Sequence, residues 1–450
     1  MDLSLLKNTY TISTQNFAQA AHQMNIKLRN ILALVAFGLF LPAATAQDIS
    51  AQQLREDIAF IRQTIGRAHP DLRFSTNPES VNSALNAAAA DIPVDLSRDQ
   101  AWQRLSTLNP VFADAHFFVG YTDWMADSTA HLASGGAFFP FEVDIDSTGK
   151  LYIRAALGAG PSELANARIL SINGVPAEKQ TAELLKRMHG DTPQFRSNLL
   201  ARRWWFYHWK MYGAAAQYRL ELSRAGRRWS VSIPASASAP ALLQAATSFD
   251  RQFSFELQPE GKAVLKAGSF SPEFKDRFLD LARTSFARMR QEGATILFID
   301  ISDNGGGDDQ LWLDGLMPYI ATRPYRTGST YTKRVAEANP QRGESAGQIV
   351  DGEIQTWHEP QTAPPLLFKG KVVVAIGPST YSSAVLFANV VQDFGFGTLA
   401  GKGGAARRSQ SGGTRKFTLP NSGLVLWVPR FVLAPPSGGP RDALLAPARE

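Results

Sequence analysis

The chain has 450 residues, 44% hydrophobic and 19% charged, and no cysteine, which excludes a disulfide scaffold, a thiolate zinc site and a cysteine nucleophile. One hydrophobic core serves roughly 250–300 residues, so the length predicts two or three modules, and the composition is too apolar for a disordered protein. The formal net charge of +6 comes from scattered arginines without a nucleic-acid-binding motif, which favours a solvated surface over a nucleic-acid partner.

The first 46 residues have the three-part pattern of a secretory signal peptide. A short basic stretch at residues 24–29 precedes an apolar run at 31–41 and the A-x-A cleavage site Ala44-Thr45-Ala46. The apolar run is too short for a membrane-spanning helix, which needs about 20 residues; a buried apolar helix is the alternative. Residues 1–23 precede the pattern, so Met24 is an alternative start. We therefore expect export to the periplasm or the medium, with no stable membrane span after cleavage.

Between residues 47 and 235 the apolar pattern changes from helical to alternating. Apolar residues at helical spacing over 48–69 and 78–108 predict an N-terminal helical module that spans residues 47–130. Alternation predicts a β-rich module over 131–235, which begins with strands over 137–145 and 151–156.

A second strand pair is predicted in the β-rich module. Residues 167–175 contain Asn173-Gly174, a dipeptide typical of a tight hairpin turn. The stretch ILSINGVP at 169–176 resembles a PDZ domain, a fold that captures peptide C-termini by adding a strand to a sheet edge. Any small β module can contain such a stretch, so both a PDZ-like and an unrelated module stay open.

Residues 236–450 alternate between helices and nearly all-apolar strands. This pattern predicts a layered α/β domain whose central strands are buried on both faces. The predicted elements are a helix over 271–291, a strand over 295–301, a helix over 309–320, a strand over 371–376 and a helix over 385–393. Residues 401–413 are rich in Gly, Ser and Arg, which predicts a mobile loop.

Ser382 follows the second apolar strand, where the last predicted helix begins. A hydroxyl at such a corner lies at the mouth of the sheet, and the first N–H groups of the helix have no intrahelical partner. These groups, that of Ser383 among them, can bind the oxyanion that forms when the hydroxyl attacks a carbonyl. Helix capping is the alternative role for Ser382, because serine is a common N-cap residue.

Three consecutive glycines, Gly305, Gly306 and Gly307, follow the first apolar strand. Glycine permits positive φ and lets backbone N–H groups approach a ligand, which suits a second oxyanion donor. The GxxxxGK[ST] pattern of a phosphate-binding loop is absent, which argues against a nucleotide; a plain loop is the alternative.

Together the two segments resemble the tail-specific (C-terminal-processing) and tricorn-type serine peptidases. Those proteins carry Asp-x-Arg-x-Asn-Gly-Gly-Gly after an apolar strand, where this chain has Asp300, Asn304 and the three glycines, with Ser302 in the place of Arg. They carry Thr-[Ala/Phe/Tyr]-Ser-[Ala/Ser]-[Ala/Ser] after a later strand, where this chain has Thr380-Tyr381-Ser382-Ser383-Ala384.

The resemblance covers about residues 265–435. It implies a crotonase-like layered α/β catalytic domain over residues 236–450, preceded by the helical module and a PDZ-like β module. It also implies Ser382 as the nucleophile, with an oxyanion hole formed by the N–H groups of Ser383 and of a glycine among Gly305, Gly306 and Gly307.

A serine nucleophile needs a base. The tail-specific peptidases use a lysine 25 positions after the serine, but here that position is Arg407, which cannot lose its proton in a protein; Lys402 lies nearby. The tricorn-type peptidases use a histidine in a short Asp-Gly-His or Ser-His stretch ahead of the β module, and Asp114-Ala115-His116 fits that pattern. We therefore predict His116 as the base, since the pKa of a histidine suits the role.

The acid that orients this base is unassigned. The tricorn-type site includes a late Glu, yet the acidic residues after Ser382 are Asp393, Asp442 and Glu450, and none fits the pattern. The chain has no HExxH motif and His358-Glu359 stands alone, so we expect no metal, and serine acyl transfer needs no cofactor.

The resemblance thus implies an exported serine peptidase that cleaves peptide bonds through an acyl-enzyme, with a peptide or protein as substrate. Two alternatives stay open: a catalytically inactive relative that binds peptides or small apolar ligands, which the missing acid favours, and an esterase, which uses the same acyl chemistry. The aromatic stretch at 204–209 is expected either to line the substrate cleft or to form the buried face of a helix.

Overall fold

The computed structural model describes residues 48–92, 95–360 and 365–447. The signal-peptide prediction for residues 1–46 and the terminal Glu450 lie outside these ranges. Within the described ranges, no helix is long and apolar enough to cross a membrane. The chain from Asp48 onward forms one compact unit.

The N-terminal part is helical, as predicted. Helix α1 (Ala51–Ala68) begins with a capping box, in which Ser50 Oγ accepts from Gln53 N–H and Gln53 Oε1 accepts from Ser50 N–H. Its buried residues Leu54, Ile58, Ile61 and Ile65 recur at helical spacing. The following elements are α2 (Pro78–Ala89), α3 (Arg98–Leu105), α4 (Asn109–Phe112), β1 (Phe118–Gly120) and α5 (Trp124–Ala133).

The middle part is an antiparallel sheet with three helices. Its strands are β2 (Phe141–Ile145), β3 (Leu151–Ala156), β4 (Arg168–Ile172), β5 (Val175–Pro176), β6 (Gln217–Arg224) and β7 (Arg227–Pro234). The helices are α6 (Ala177–Leu185), α7 (Pro193–Arg202) and α8 (Trp204–Tyr212). The strand order is β2-β3-β4-β6-β7, with β5 beside β4. The predicted turn is confirmed, since Asn173 and Gly174 have φ of 51° and 81°.

The last part contains a five-stranded central sheet. Its strands are β8 (Phe253–Gln258), β9 (Lys262–Ala267), β10 (Ile296–Asp300), β13 (Lys371–Ile376) and β14 (Thr398–Gly401), in the order β14-β13-β10-β9-β8. Strand β10 is central and runs parallel to both neighbours, with Phe298 opposite Val373 and Val264. The carboxyl ends of β10 and β13 therefore meet at one edge, the edge where ligands bind in parallel α/β sheets. The predicted α/β layered architecture is confirmed.

The last part contains helices near the three predicted positions and two short helices that were not predicted. They are α9 (Ala241–Ala246), α10 (Phe249–Gln252), α11 (Lys275–Gln291), α12 (Gln310–Gly315), α13 (Met317–Ile320) and α14 (Ser383–Asp393). The helix predicted over 309–320 is two short helices, because the chain breaks at Leu316, two residues before Pro318.

Two smaller sheets complete the fold. Their strands are β11 (Thr330–Arg334), β12 (Ile349–Glu353), β15 (Gln410–Gly412), β16 (Arg415–Thr418), β17 (Val425–Val428) and β18 (Phe431–Leu433). One sheet has the order β12-β11-β18-β15 and the other β1-β17-β16. Phe118 of β1 lies opposite Trp427 of β17, so the first and last parts of the chain share a sheet.

The prediction of a mobile loop over residues 401–413 is wrong at residues 410–412. Residues Gln410–Gly412 form β15, which is buried at all three positions and pairs with β18. A Cβ on Gly412 would lie 2.8 Å from the Phe431 ring, so glycine is needed there for close packing. The small residues of this segment therefore reflect tight packing and not mobility.

Two hydrophobic cores stabilise the molecule. One joins buried residues between 49 and 222 with a group between 419 and 428, and the other lies mostly between 249 and 445. The C-terminal strands thus contribute to the core of the N-terminal half. The module boundaries near residues 130 and 235 stay a prediction.

Candidate active site

Ser382 lies at the corner between β13 and α14. The Gly377 N–H donates to Thr380 Oγ1 at 2.9 Å, and that hydroxyl donates to the Ile301 carbonyl at 2.8 Å. The Thr380 side chain thereby ties the ends of the two parallel strands together. Ser382 itself has φ 53° and ψ −127°, a costly backbone conformation for a residue other than glycine.

The Ser382 hydroxyl does not act as a helix cap. The residue occupies the N-cap position of α14, but within the described residues its side chain makes no capping hydrogen bond. Its carbonyl accepts from the N–H groups of Val385 and Leu386, and its own N–H donates to Gln410 Oε1 at 2.9 Å. The backbone of Ser382 therefore begins the helix and leaves the hydroxyl outside it. The capping alternative does not describe this residue.

The glycine run lies directly against Ser382. The Tyr381 N–H donates to the Asn304 carbonyl at 3.1 Å, and the buried Asn304 side chain donates to the Ala267 carbonyl at 2.8 Å. Gly306 has φ 97°, and a Cβ there would lie 2.7 Å from Ser382 Cβ. Only glycine allows the two segments to approach this closely.

The N–H groups of the predicted oxyanion hole differ in their bonding. The Gly306 N–H donates to Asn304 Oδ1 at 2.8 Å, so it is already engaged. For the N–H groups of Gly305, Gly307 and Ser383, no acceptor occurs among the described residues. Of these three, Gly305 also lines the cleft described below, and the oxyanion assignment stays a prediction.

His116 lies in a tight turn whose polar groups bond to one another. The His116 N–H donates to Asp114 Oδ1 at 2.7 Å. The imidazole Nδ1 lies 3.1 Å from Ser411 Oγ, and the Ser411 hydroxyl donates to Asp114 Oδ1 at 2.9 Å. Asp114 is fully buried.

This arrangement decides which imidazole nitrogen carries the proton. The Ser411 hydroxyl has one hydrogen, which it donates to the Asp114 carboxylate, so its oxygen accepts from His116 Nδ1–H. The Nε2 atom then keeps its lone pair, as a general base requires.

Strand β15 connects the two sides of the site. Gln410 accepts the Ser382 N–H, and the next residue, Ser411, bonds to His116. The Tyr381 ring lies 5.0 Å from the His116 ring between their centroids. Within the described residues, no direct hydrogen bond joins Ser382 to His116.

Arg407, at the position of the tail-specific lysine, has a structural role. Its guanidinium donates to the Ala113 carbonyl at 2.8 Å and lies 3.5 Å from Asp191, while its N–H donates to Asp191 Oδ2 at 2.9 Å. The Tyr381 hydroxyl donates to the other oxygen of Asp191 at 2.8 Å. Arg407 thus holds the backbone next to Asp114 and balances a buried carboxylate.

The remaining candidates from the sequence lie apart from this cluster. Lys402 is exposed, and its N–H continues the sheet by donating to Ile376 O. Asp393 pairs with Arg408 and accepts the Ser437 N–H, and Asp442 is exposed. Across the described ranges, no group of His, Asp and Glu is placed to hold a metal ion.

Burial shifts the pKa values of the cluster. It lowers the pKa of His116 from 6.5 to about 4, although Asp191 and the contact with Ser411 oppose the shift. Burial, with the charge of Asp114, raises the pKa of Asp191 to about 6, and Arg407 opposes this. Burial also raises the pKa of Asp114. His116 is therefore neutral at pH 7, the form that accepts a proton.

A cleft of about 740 Å³ opens beside these groups. Its walls include His116, Tyr381, Gly305 and Gly306. A volume of several hundred Å³ is typical of a ligand or substrate site.

The aromatic stretch of α8 divides between the core and this cleft. Trp204 and Trp205 are fully buried, whereas Phe206 and Tyr207 also reach the cleft wall. Both expectations for this stretch therefore apply, each to different residues.

Residues 269–442 match the family model of peptidase family S41. This part of the chain is similar to the peptidases of family S41. The matched residues include the glycine run, Ser382 and β15, whereas His116 and Asp114 precede them. A comparison with curated protein sequences gave no match.

Solved structures of CPAF share the fold of this chain. Mature CPAF in complex with lactacystin is 12% identical, with a TM-score of 0.61, over 88% of this chain and 93% of that chain. Mature CPAF is 14% identical with the same TM-score, over 88% and 92%, and a CPAF mutant is 14% identical with a TM-score of 0.63, also over 88% and 92%. The similarity extends beyond residues 269–442 into the N-terminal half, and at this identity it concerns the fold.

Several groups of the site could not be found from the sequence. Ser411 and Gln410 fall in the segment predicted as a mobile loop, and Asp191 carries no motif. Asp114 was part of the pattern that indicated His116, but nothing in the sequence marks it as the hydrogen-bond partner of Ser411 beside that histidine.

Proposed function

We propose that this protein is an exported serine peptidase in which Ser382 is the nucleophile and His116 the general base. The observation that carries the proposal is the network through β15, since Gln410 binds the Ser382 N–H and Ser411 binds His116. Periplasmic or extracellular export rests on the signal-peptide pattern at residues 24–46. A PDZ-like role of the sheet β2–β7 in holding a peptide strand is part of the same proposal.

In this proposal Asp114 supplies the acid that the sequence left unassigned, acting through Ser411. The Asp114 carboxylate accepts the Ser411 hydrogen, and the Ser411 oxygen accepts His116 Nδ1–H. These two hydrogen bonds orient the imidazole and stabilise the imidazolium that forms during the reaction. Asp114 and Ser411 are therefore positioning residues.

The reaction would proceed in two acyl-transfer steps. His116 Nε2 takes the Ser382 proton while Oγ attacks the peptide carbonyl, and N–H groups of Ser383 and the glycine run receive the oxyanion. The imidazolium then protonates the leaving amine, and a water molecule activated by His116 hydrolyses the acyl-enzyme. Hydrogen bonds between nucleophile and base often form only in the substrate complex, which fits the separate positions of Ser382 and His116 here.

One observation favours a second function, that of a catalytically inactive binding protein. Because no direct Ser382–His116 hydrogen bond occurs in the described part of the chain, a catalytically inactive protein that binds peptides or small apolar ligands in the cleft is the alternative. An esterase would use the same residues on a different substrate.

Labelling with a serine-directed fluorophosphonate tests the proposal. We expect one adduct, located on Ser382 by peptide mass spectrometry, absent from Ser382→Ala and strongly slowed in His116→Ala. Circular dichroism and size-exclusion chromatography check that the variants are folded. A folded sample without any adduct would favour the binding protein, and a panel of matched peptide and ester substrates separates peptidase from esterase.

A further inference from the structure

The charged groups that line the cleft are mostly cations. Two carboxylates, Asp123 and Asp303, belong to its described lining. Asp123 caps α5 by accepting the N–H groups of Met125 and Ala126, so its charge is directed to the helix. The cations are Arg187, Arg202, Arg203, Arg251, Lys266 and Lys416.

Two of these cations have carboxylate partners. Arg187 lies 3.6 Å from Glu183, and Arg202 lies 3.4 Å from Asp303. The Asp303 side chain is 64% exposed, so this pair is held weakly in water.

The other four cations face the cleft without an acidic partner. In the ranges that the structure describes, no carboxylate lies within ion-pairing distance of Arg203, Arg251, Lys266 or Lys416. Arg203 stacks 4.3 Å above Trp124, and Lys416 lies 4.5 Å from the Trp427 ring. A guanidinium stacked by its face keeps its edge N–H groups available to a carboxylate.

Among the cleft cations, Lys266 has the smallest sequence separation from the glycine run. It lies near the end of β9, its Nζ donates to the Arg251 carbonyl at 3.2 Å, and the Phe270 N–H that follows donates to Gly306 O. Asp300 lies opposite Lys266 in the sheet register, but its carboxylate accepts the Ser302 N–H instead.

Arg202 approaches the nucleophile from the other side. Its guanidinium donates to Ser379 Oγ, three residues ahead of Ser382. One cation therefore contacts the corner on the Ser379 side, and Lys266 lines the same cleft as Gly305 and Gly306. The histidines of the cleft do not change this balance, because burial lowers the pKa of His189 to about 3 and that of His116 to about 4, so both are neutral.

A concave surface lined by one sign of charge concentrates the electric field and attracts ligands of opposite sign. Arginine also pairs with carboxylates through two parallel hydrogen bonds, which adds specificity to attraction. Resting on the proposed peptidase function, we infer that the cleft selects acidic peptides, with Asp or Glu side chains flanking the bond that Ser382 attacks. Lysine-rich segments are repelled by the same lining.

The test compares matched peptides and matched variants. One set of fluorogenic peptides differs only in Asp/Glu, Ser or Lys residues around the scissile bond. Arg203→Glu/Lys266→Glu reverses two cleft charges, and Arg227→Glu/Arg228→Glu makes the same change in net charge at two exposed positions of β7 that do not line the cleft. We expect the acidic peptides to exceed the lysine peptides at least roughly tenfold in kcat/KM at low salt, with the preference reduced by added salt.

The cleft variant should lose this preference and the control variant should keep it. Equal cleavage of the acidic and lysine peptides, or an equal loss in both variants, would refute the inference.

A binding measurement keeps the inference separate from catalysis. Fluorescence anisotropy with the same peptides on Ser382→Ala should show tighter binding of the acidic members, whether or not the wild-type protein cleaves them. If Ser382 is labelled but the peptides show no charge preference, the inference about acidic peptides is wrong and the proposed peptidase function stands. Absence of any label, together with preferential binding of acidic peptides, would instead overturn the peptidase function and leave the charge selection standing.

Discussion

Ser382 and His116 are connected through β15, but the segments that hold each of them come from very different distances along the chain. The Ser382 side is built from the ends of two neighbouring parallel strands, and the hydrogen bonds described there each involve at least one backbone group, such as Tyr381 N–H to Asn304 O. The His116 side is built from side chains, since Asp114 and Ser411 are 297 residues apart. The first side depends on where glycine permits close approach, and the second depends on a buried polar network.

This difference predicts how each side responds to substitution. Backbone geometry fails abruptly when a Cβ does not fit, whereas a hydrogen-bonded network loses one bond at a time. The three predictions that follow test this contrast, beginning with the largest expected effect.

Gly306→Ala should nearly abolish reactivity. The added Cβ would lie 2.7 Å from Ser382 Cβ and 2.8 Å from the Tyr381 carbonyl, at a φ of 97° that alanine avoids. A displacement of about 1 Å at a reacting group costs roughly a hundredfold in rate, so we expect the fluorophosphonate labelling rate to fall by at least this factor.

Gly305→Ala is the matched control for that variant. No atom lies within 4 Å of a Cβ on Gly305, and its backbone N–H is retained, so labelling should stay close to wild type. If the two alanine variants label at the same rate, the close approach of the glycine run to Ser382 does not matter for reactivity.

Ser411→Ala should have an intermediate effect. It removes the link between Asp114 and His116 Nδ1, and the loss of one hydrogen bond to a charged group corresponds to roughly a ten- to hundredfold decrease in the labelling rate. The pH dependence should change as well, because a freed imidazole no longer keeps one tautomer, a readout that a purely structural serine would not affect.

Ser409→Ala provides the control two positions away. Ser409 is also buried, but its hydroxyl has no hydrogen-bond partner among the described residues, so we expect little change in labelling. Equal losses in the two serine variants would mean that β15 acts only through packing. Asp114→Asn should resemble Ser411→Ala, and remain below the roughly 10⁴-fold loss expected where an acid bonds the histidine directly.

The smallest of the expected effects concerns the pH dependence of the labelling rate. His116 acts as a base only when neutral, and burial lowers its pKa to about 4, so labelling should persist as the pH falls and decline only near that value. At pH 5 a histidine with an ordinary pKa of 6.5 would be only about 3% neutral, which would make labelling slow.

A substitution at Asp191, a titratable group that faces His116, tests the pH dependence of labelling further. Asp191 raises the pKa of His116 only while it is ionised, and its own pKa is raised to about 6, so it is neutral where His116 titrates. Asp191→Asn should therefore leave an acid limb near pH 4 almost unchanged. Labelling rates are measured over the acid range in which circular dichroism shows a folded protein. A midpoint near 6.5 in the wild type would mean that His116 is more solvated than its position indicates, or that another group is the base.

The sequence alone determined the elements whose signals are local. The apolar strands at 295–301 and 371–376, the corner at Ser382 and the glycine run could be predicted, because buried parallel strands and their tight exits impose residue types over a short stretch. The resemblance of motifs also indicated His116. These are features in which neighbouring residues along the chain are neighbours in space.

The tertiary structure decided the features that join distant segments. Residues 401–413 have the composition of a loop, yet Gln410–Gly412 is a buried strand, because pairing with β18 and packing against Phe431 outweigh local propensity. The same strand brings Ser411 to Asp114 and Gln410 to Ser382, and the residues just before it bring Arg407 to the buried Asp191. No local pattern encodes such contacts, since the free energy of a buried polar network depends on partners that only the folded chain brings together.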